Sequence, residues 1–135
     1  MNELEKRFRD ELSNLNHEQQ LAVLKCILAD NYHMVLGTPG SGKTQAIVTL
    51  IRILTAMNKK VLVVSFTNQA IDNVLLRLKA TDFDKFIRVT NNLQSVNPLL
   101  HDNVRTGSKF TNMEQIHKDI TGNNVYGATC LQMNN

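Results

Sequence analysis

The sequence predicts an α/β fold, a mostly parallel sheet flanked by helices, and three observations carry that prediction. Gly37-Thr38-Pro39-Gly40-Ser41-Gly42-Lys43-Thr44 fits G-x-x-x-x-G-K-[ST], a loop whose glycines let successive backbone N–H groups close on phosphate oxygens. Short apolar runs alternate along the chain with stripes of helical spacing, the order that produces parallel strands joined by right-handed crossovers. At 135 residues and 42% hydrophobic composition, the chain has room for one domain and enough apolar surface to bury a core.

Taken in order, residues 3–12 read as a charged helix with Leu4, Phe8 and Leu12 on one narrow face, an N-terminal appendage over residues 1–13. Asn16 is placed to cap a second helix, in which Leu21, Leu24 and Leu28 recur on one side. Tyr32-His33-Met34-Val35-Leu36 reads as a buried strand entering the glycine-rich loop, and residues 43–57 read as the helix leaving it. Ile47, Leu50, Ile51 and Leu54 give that helix one apolar face. Val61-Leu62-Val63-Val64 lacks alternation, as a parallel strand covered on both faces would. A polar stretch from Ser65 opens a helix striped by Ile71, Val74, Leu75 and Leu78, and Phe86-Ile87-Arg88-Val89 reads as the next strand. Residues 90–108, rich in Asn and broken by Pro98 and Gly107, read mostly as loop with one helical turn. A helix over 113–120 and a strand over 125–129 complete the pattern.

Charge and cysteine usage narrow the classes less sharply. A net charge of +3 with a sequence pI near 9.0 suits an anionic partner and equally suits a solvated surface. Cys26 and Cys130 have no metal-ligand spacing, and His17, His33, His101 and His117 share none, so neither a disulfide framework nor a metal cluster is expected. The start is charged where a secretory peptide is apolar, and no apolar run approaches the roughly 18 residues of a membrane span. The expectation is a soluble, intracellular protein with no membrane partner.

The motif sets the chemistry. Lys43 is the residue that reaches the β- and γ-phosphates and Thr44 the hydroxyl for Mg²⁺, with the helix N-terminus offering unpaired N–H groups to the same anion. A loop at the carboxyl end of a strand puts its ligand in the crevice where open α/β sheets bind. The next strand ends at the same edge, which brings Ser65, Phe66, Thr67 and Asn68 to that rim. Phe66 there either packs beneath the rim or offers a ring on which a base stacks, a contact worth roughly 1–3 kcal/mol.

One set of residues runs beyond the loop: Leu15-Asn16, Gln19 and Ala22-Val23, the loop from Gly37, Ser65-Phe66-Thr67-Asn68-Gln69-Ala70-Ile71-Asp72-Asn73, and Ala128-Thr129-Cys130. On these residues the chain resembles the first, RecA-like motor domain of superfamily 1B helicases. It spans about Asn14 to Met133 and is greatest toward the replication helicase–nucleases of eukaryotes. The resemblance implies a P-loop NTPase fold over residues 14–135, ATP and Mg²⁺ as cofactors, and single-stranded DNA as partner in 5′-to-3′ translocation for nuclear DNA replication and repair. It further implies that Gln19 reads adenine, that Gly37, Thr38, Pro39, Gly40, Ser41, Gly42, Lys43 and Thr44 hold the triphosphate, and that Lys43 and Thr44 serve catalysis. Ser65, Phe66, Thr67, Asn68, Asn73 and Thr129 then follow the nucleic-acid strand.

The sequence also departs from the family pattern. Asn68-Gln69 stands where His-Ser is usual, Thr90 where a glycine follows the Arg-aliphatic pair, and Asn97 where His precedes proline. No Asp-Glu-Ala-x-Gln segment follows Cys130 and there is no second motor domain, so the expectation is a truncated motor domain that binds ATP and hydrolyses it negligibly. Related RNA-surveillance helicases share most of these motifs, which keeps RNA as an alternative strand. An inactive module that binds nucleotide or single strands is a second alternative, and a small P-loop kinase a third that lacks candidate acceptor residues.

Overall fold

The structure, a computed structural model, describes residues 2–107 and 112–130. The chain forms two compact units, Met1–Lys59 and Lys60–Asn135.

The first unit is helical: α1 (Glu3–Ser13), α2 (His17–Leu28) and α3 (Lys43–Ala56). Asn2 with Glu5, and Asn16 with Gln19, form reciprocal capping boxes at the starts of α1 and α2, each side-chain oxygen satisfying an amide that the first turn leaves open. Leu15, Val23, Ala46 and Ile53 make the buried core, with Phe8, Leu12, Ile27, Leu50 and Met57 packed around it. Residues 3–13, expected as an appendage, thus put Phe8 and Leu12 against this core. A forked Arg52–Glu11 pair at 2.6–2.8 Å and bonds from Gln20 Nε2 to the carbonyls of Leu12 and Leu15, both 3.0 Å, fasten the same turn. The hydrogen bond to Glu11 holds the Arg52 guanidinium above its already high ordinary pKa, against the opposing pull of burial.

Residues 32–36 correct an expectation. No ladder partner stands beside them among the described residues, so they form no strand. Tyr32, Met34 and Leu36 are 83%, 73% and 90% exposed. An apolar run states a preference for burial, but a strand exists only through its neighbour's hydrogen bonds.

The second unit is built on a sheet of four parallel strands in the order β1-β4-β2-β3, where β1 is Val61–Ser65, β2 Phe86–Val89, β3 Val104–Arg105 and β4 Val125–Thr129. Helix α4 (Asn68–Lys79) packs on β4 and β1 and buries Ile71, Val74, Leu75 and Leu78, as the periodicity requires. Its closeness to the sheet depends on Gly127, where an added Cβ would lie 2.9 Å from Ile71 Cγ2 and 3.0 Å from Leu75 Cδ1. Helix α5 (Met113–Gly122) precedes β4, and its last carbonyls are held by Lys60 and Tyr126.

Two further expectations are revised. Strand β1 is not covered on both faces: Leu62 and Val64 are exposed while Val61, Val63 and Ser65 are half-buried. Among the described residues it is an edge strand, paired only with β4, so its apolar run does not report double burial. The Asn-rich stretch after β2 is more ordered than loop, with 3₁₀ turns at Leu93–Ser95 and Pro98–Asn103 and then β3. Two of its asparagines are caps: Asn92 and Asn97 accept from the amides of Gln94 and Leu99, both at 3.0 Å, while Val96, Leu100 and Val104 anchor the stretch in the core.

Candidate nucleotide and nucleic-acid sites

The caps single out one helix. Asn2, Asn16, Thr67 and Asn112 each give a side-chain oxygen to the first turn of α1, α2, α4 and α5, whereas α3 opens on Gly42 with no side-chain cap. Its leading amides are therefore left for another acceptor, and they stand at the positive end of the helix dipole. Gly40 and Gly42 both have φ of +81°, which turns the backbone in a way an L side chain resists. A Cβ on Gly37 would come within 2.7 Å of Ser41 Oγ and 2.9 Å of the Lys43 side chain, so a larger residue there would have to displace both. These donors and this curl fit a polyphosphate, with Lys43 as counter-charge and Thr44 as the hydroxyl available to a divalent cation.

Lys43 Nζ donates to the carbonyl of Gly37 and so closes the loop on itself. Both ends of Gln19 are likewise engaged: Oε1 accepts from Asn16 N at 3.0 Å, and Nε2 donates to the Gly42 carbonyl at 3.1 Å. Gln19 therefore lies directly beside the loop, 23 residues away in sequence, and a Cβ on Gly42 would sit 2.1 Å from its Nε2. One amide hydrogen and one lone pair of Gln19 remain for a ligand. A hollow of about 210 Å³ is bounded by Gln19, Leu36, Gly37, Thr38, Ser41 and Lys43.

The strand-side residues lie in the second unit. Ser65 and Thr129 are partners at the carboxyl ends of β1 and β4, where Cys130 N donates to the Ser65 carbonyl at 2.9 Å. Thr129 is buried, whereas Phe66 is 75% exposed, so Phe66 does not pack beneath the rim. Thr67 Oγ1 accepts from Ala70 N at 3.3 Å and so caps α4, which leaves its O–H to donate, and Asn73 is exposed one turn further along that helix.

Sequence reasoning missed the centre of this region. Arg88 is fully buried, and its guanidinium donates from Nε to Asp72 Oδ1 at 3.0 Å, from Nη1 to the Val89 carbonyl at 2.9 Å and from Nη2 to Asn68 Oδ1 at 2.6 Å. The other oxygen of Asp72 accepts from Asn97 N at 2.9 Å. One buried charge pair thus ties the first turns of α4, the end of β2 and the turn before Pro98 together. The available signal was an aspartate within the otherwise apolar face of α4 and an arginine within an apolar strand, two charges that burial obliges to pair.

Comparison with known proteins agrees with the fold. The model of the AAA domain family matches residues 14–131. The chain belongs to the AAA domain family. This AAA domain is 32% identical over 121 residues, 90% of the chain, to a DNA replication ATP-dependent helicase/nuclease of Arabidopsis thaliana, and covers 9% of that protein. It is similar in the same degree to the DNA replication ATP-dependent helicase/nuclease of Saccharomyces cerevisiae, 32% over 122 residues, covering 8% of it. The human protein of that name is 40% identical over 89 residues, 66% of this chain and 8% of its own length. The chain thus spans about a tenth of the length of these curated relatives.

Other polar side chains of the AAA domain have structural places. Cys26 lines an apolar hollow with Val23, Ala46 and Leu50, and burial raises its thiol pKa, which disfavours the thiolate. No group of three or more His, Cys, Asp or Glu among the described residues could hold a metal ion, and no described helix is long and apolar enough to cross a membrane.

Proposed function

We propose that this chain is part of an ATP-dependent 5′-to-3′ DNA helicase of the helicase/nuclease type, acting in DNA replication and repair in the nucleus, and that it binds ATP·Mg²⁺ and single-stranded DNA. The observation that carries the nucleotide half is the uncapped start of α3 behind two glycines at positive φ, with Lys43 and Gln19 against the loop. Gly37, Thr38, Pro39, Gly40, Ser41 and Gly42 would enclose the phosphates by their backbone. Lys43 would leave the Gly37 carbonyl for the β- and γ-oxygens, Thr44 would hold Mg²⁺, and Gln19 would use its remaining donor and acceptor on the adenine edge. The cation would neutralise charge on the phosphoryl oxygens.

For the strand, Phe66 supplies an exposed ring for stacking and Ser65, Thr67, Asn68, Asn73 and Thr129 the polar contacts. The resemblance to motor domains that act with a second domain supports a chain that binds ATP and turns it over negligibly alone. Calorimetry with millimolar ATP and Mg²⁺ tests the nucleotide half: heat is expected from the unaltered chain and none from Lys43→Ala. No heat from folded, unaltered chain overturns the reading, and turnover near one per second that Lys43→Ala abolishes overturns the claim of negligible hydrolysis. Competition between DNA and RNA oligomers is expected to favour DNA, and preference for RNA reassigns the strand.

A further inference from the structure

We propose that Arg88 is a positioning residue that fixes the polarity of Asn68, turning its amide so that two hydrogen-bond donors face outward at the strand-side rim. The argument is one of inventory. A guanidinium has only donors, so the side of Asn68 that meets Arg88 Nη2 at 2.6 Å must be its carbonyl oxygen. The opposite corner of the amide is then Nδ2, and no acceptor stands against it among the described residues. Arg88 cannot turn to accommodate the reverse arrangement. Its Nε is held by Asp72 and its Nη1 by the Val89 carbonyl, and the side chain is 0% exposed.

Asp72 is fixed in turn by Asn97 N, so the orientation passes from a buried charge pair to a half-buried amide at the first residue of α4. An outward N–H pair suits acceptors, and the acceptor that a single strand presents at every step is the phosphodiester oxygen. An asparagine free to flip would present its carbonyl to that oxygen half the time. The inference rests on the single-strand reading above and assigns Asn68 a backbone contact within it.

The experiment measures binding of labelled oligothymidylate by fluorescence anisotropy, with phosphodiester or uncharged methylphosphonate linkages, alongside thermal melting of each variant. Asn68→Asp keeps an oxygen for Arg88 and replaces the outward donors with a negatively charged acceptor. Its melting temperature is expected to hold, its affinity for the phosphodiester strand to fall at least about tenfold, and its loss on the methylphosphonate strand to be small. Arg88→Lys is expected to weaken phosphodiester binding in the unaltered background and to have no further effect in an Asn68→Ala background, because it acts through that amide.

Equal binding by Asn68→Asp and the unaltered chain overturns the proposal, as does an equal cost of Arg88→Lys in both backgrounds, which marks a purely structural role. If Arg88→Lys fails to fold, the Asn68→Asp comparison still decides. Failure of the unaltered chain to bind either oligomer overturns the single-strand reading and this inference with it.

Discussion

The phosphate loop and the start of α4 hold their polar groups in opposite ways. In the loop, Lys43 and Gln19 rest on backbone carbonyls, Gly37 and Gly42, at an exposed or half-exposed surface. Such bonds exchange with water at a net value of about 1 kcal/mol, so a ligand with better acceptors displaces them readily. At α4 the comparable groups converge on a guanidinium out of reach of water, where each of the three nitrogens donates to a fixed acceptor. One region keeps its contacts provisional and the other makes them permanent. The difference is the one expected between a site that exchanges its ligand, as proposed for the loop, and a scaffold that keeps its shape.

The sharpest way to break the comparison is to remove one cation from each region. Arg88→Met strands the Asp72 carboxylate in the core and is expected to cost about 3–5 kcal/mol, enough to unfold a marginal domain. Urea denaturation followed by circular dichroism measures it. Lys43→Ala is expected to stay within about 0.5 kcal/mol of the unaltered chain while losing ATP binding. Comparable stability losses from the two variants would erase the distinction.

Gly42→Ala sharpens the loop's half of the contrast. Alanine at a φ of +81° costs about 1–2 kcal/mol, and its Cβ would also displace Gln19 from the Gly42 carbonyl. Gln19→Ala loses its capping-box half and the same carbonyl contact without backbone strain, and is expected to cost about 1 kcal/mol. The order Gly42→Ala above Gln19→Ala, read from urea midpoints, separates backbone conformation from side-chain contact; the reverse order would assign the loop's shape to Gln19.

These contrasts also mark what the sequence could disclose. Local rules carried far: the glycine loop, the stripe of α4, and the extents of β2 and β4 all follow from spacing within a few residues. The stripe read into α3 does not hold, since Ile47 is exposed and Ala46, Val48 and Ile53 are buried alongside Ile51. What needed distant partners did not. Residues 32–36 have the composition of a strand, yet composition cannot supply a neighbouring ladder. The edge position of β1 is likewise a property of the sheet. Arg88 read as one residue of an Arg-aliphatic pair, because its acceptors lie 16 and 20 residues away and nothing in a single sequence joins them. Asparagines 92 and 97 lowered the helical expectation by composition, although their actual role is to cap turns.

The smallest expected effect asks whether the permanence of the second unit extends to a neutral donor. Tyr126 on β4 has its hydroxyl 2.7 Å from the Ile120 carbonyl and 2.8 Å from that of Asn123, and its one hydrogen serves these in alternation. Lys60 reaches the same two carbonyls, so Tyr126→Phe leaves them partnered and is expected to cost only about 0.5–1 kcal/mol. Burial first, and the nearby Asp119 carboxylate second, raise the phenol above its ordinary pKa of 10.0. The folded chain therefore holds this proton more tightly than the unfolded chain does. The resulting stability is fully present below about pH 10 and is lost as pH rises through the folded pKa. The urea midpoint of the unaltered chain is expected to fall more steeply above pH 10 than that of Tyr126→Phe, with tyrosinate absorbance marking the titration. Parallel alkaline profiles for the two chains would show that Lys60 alone holds the end of α5, and that the hydroxyl adds nothing.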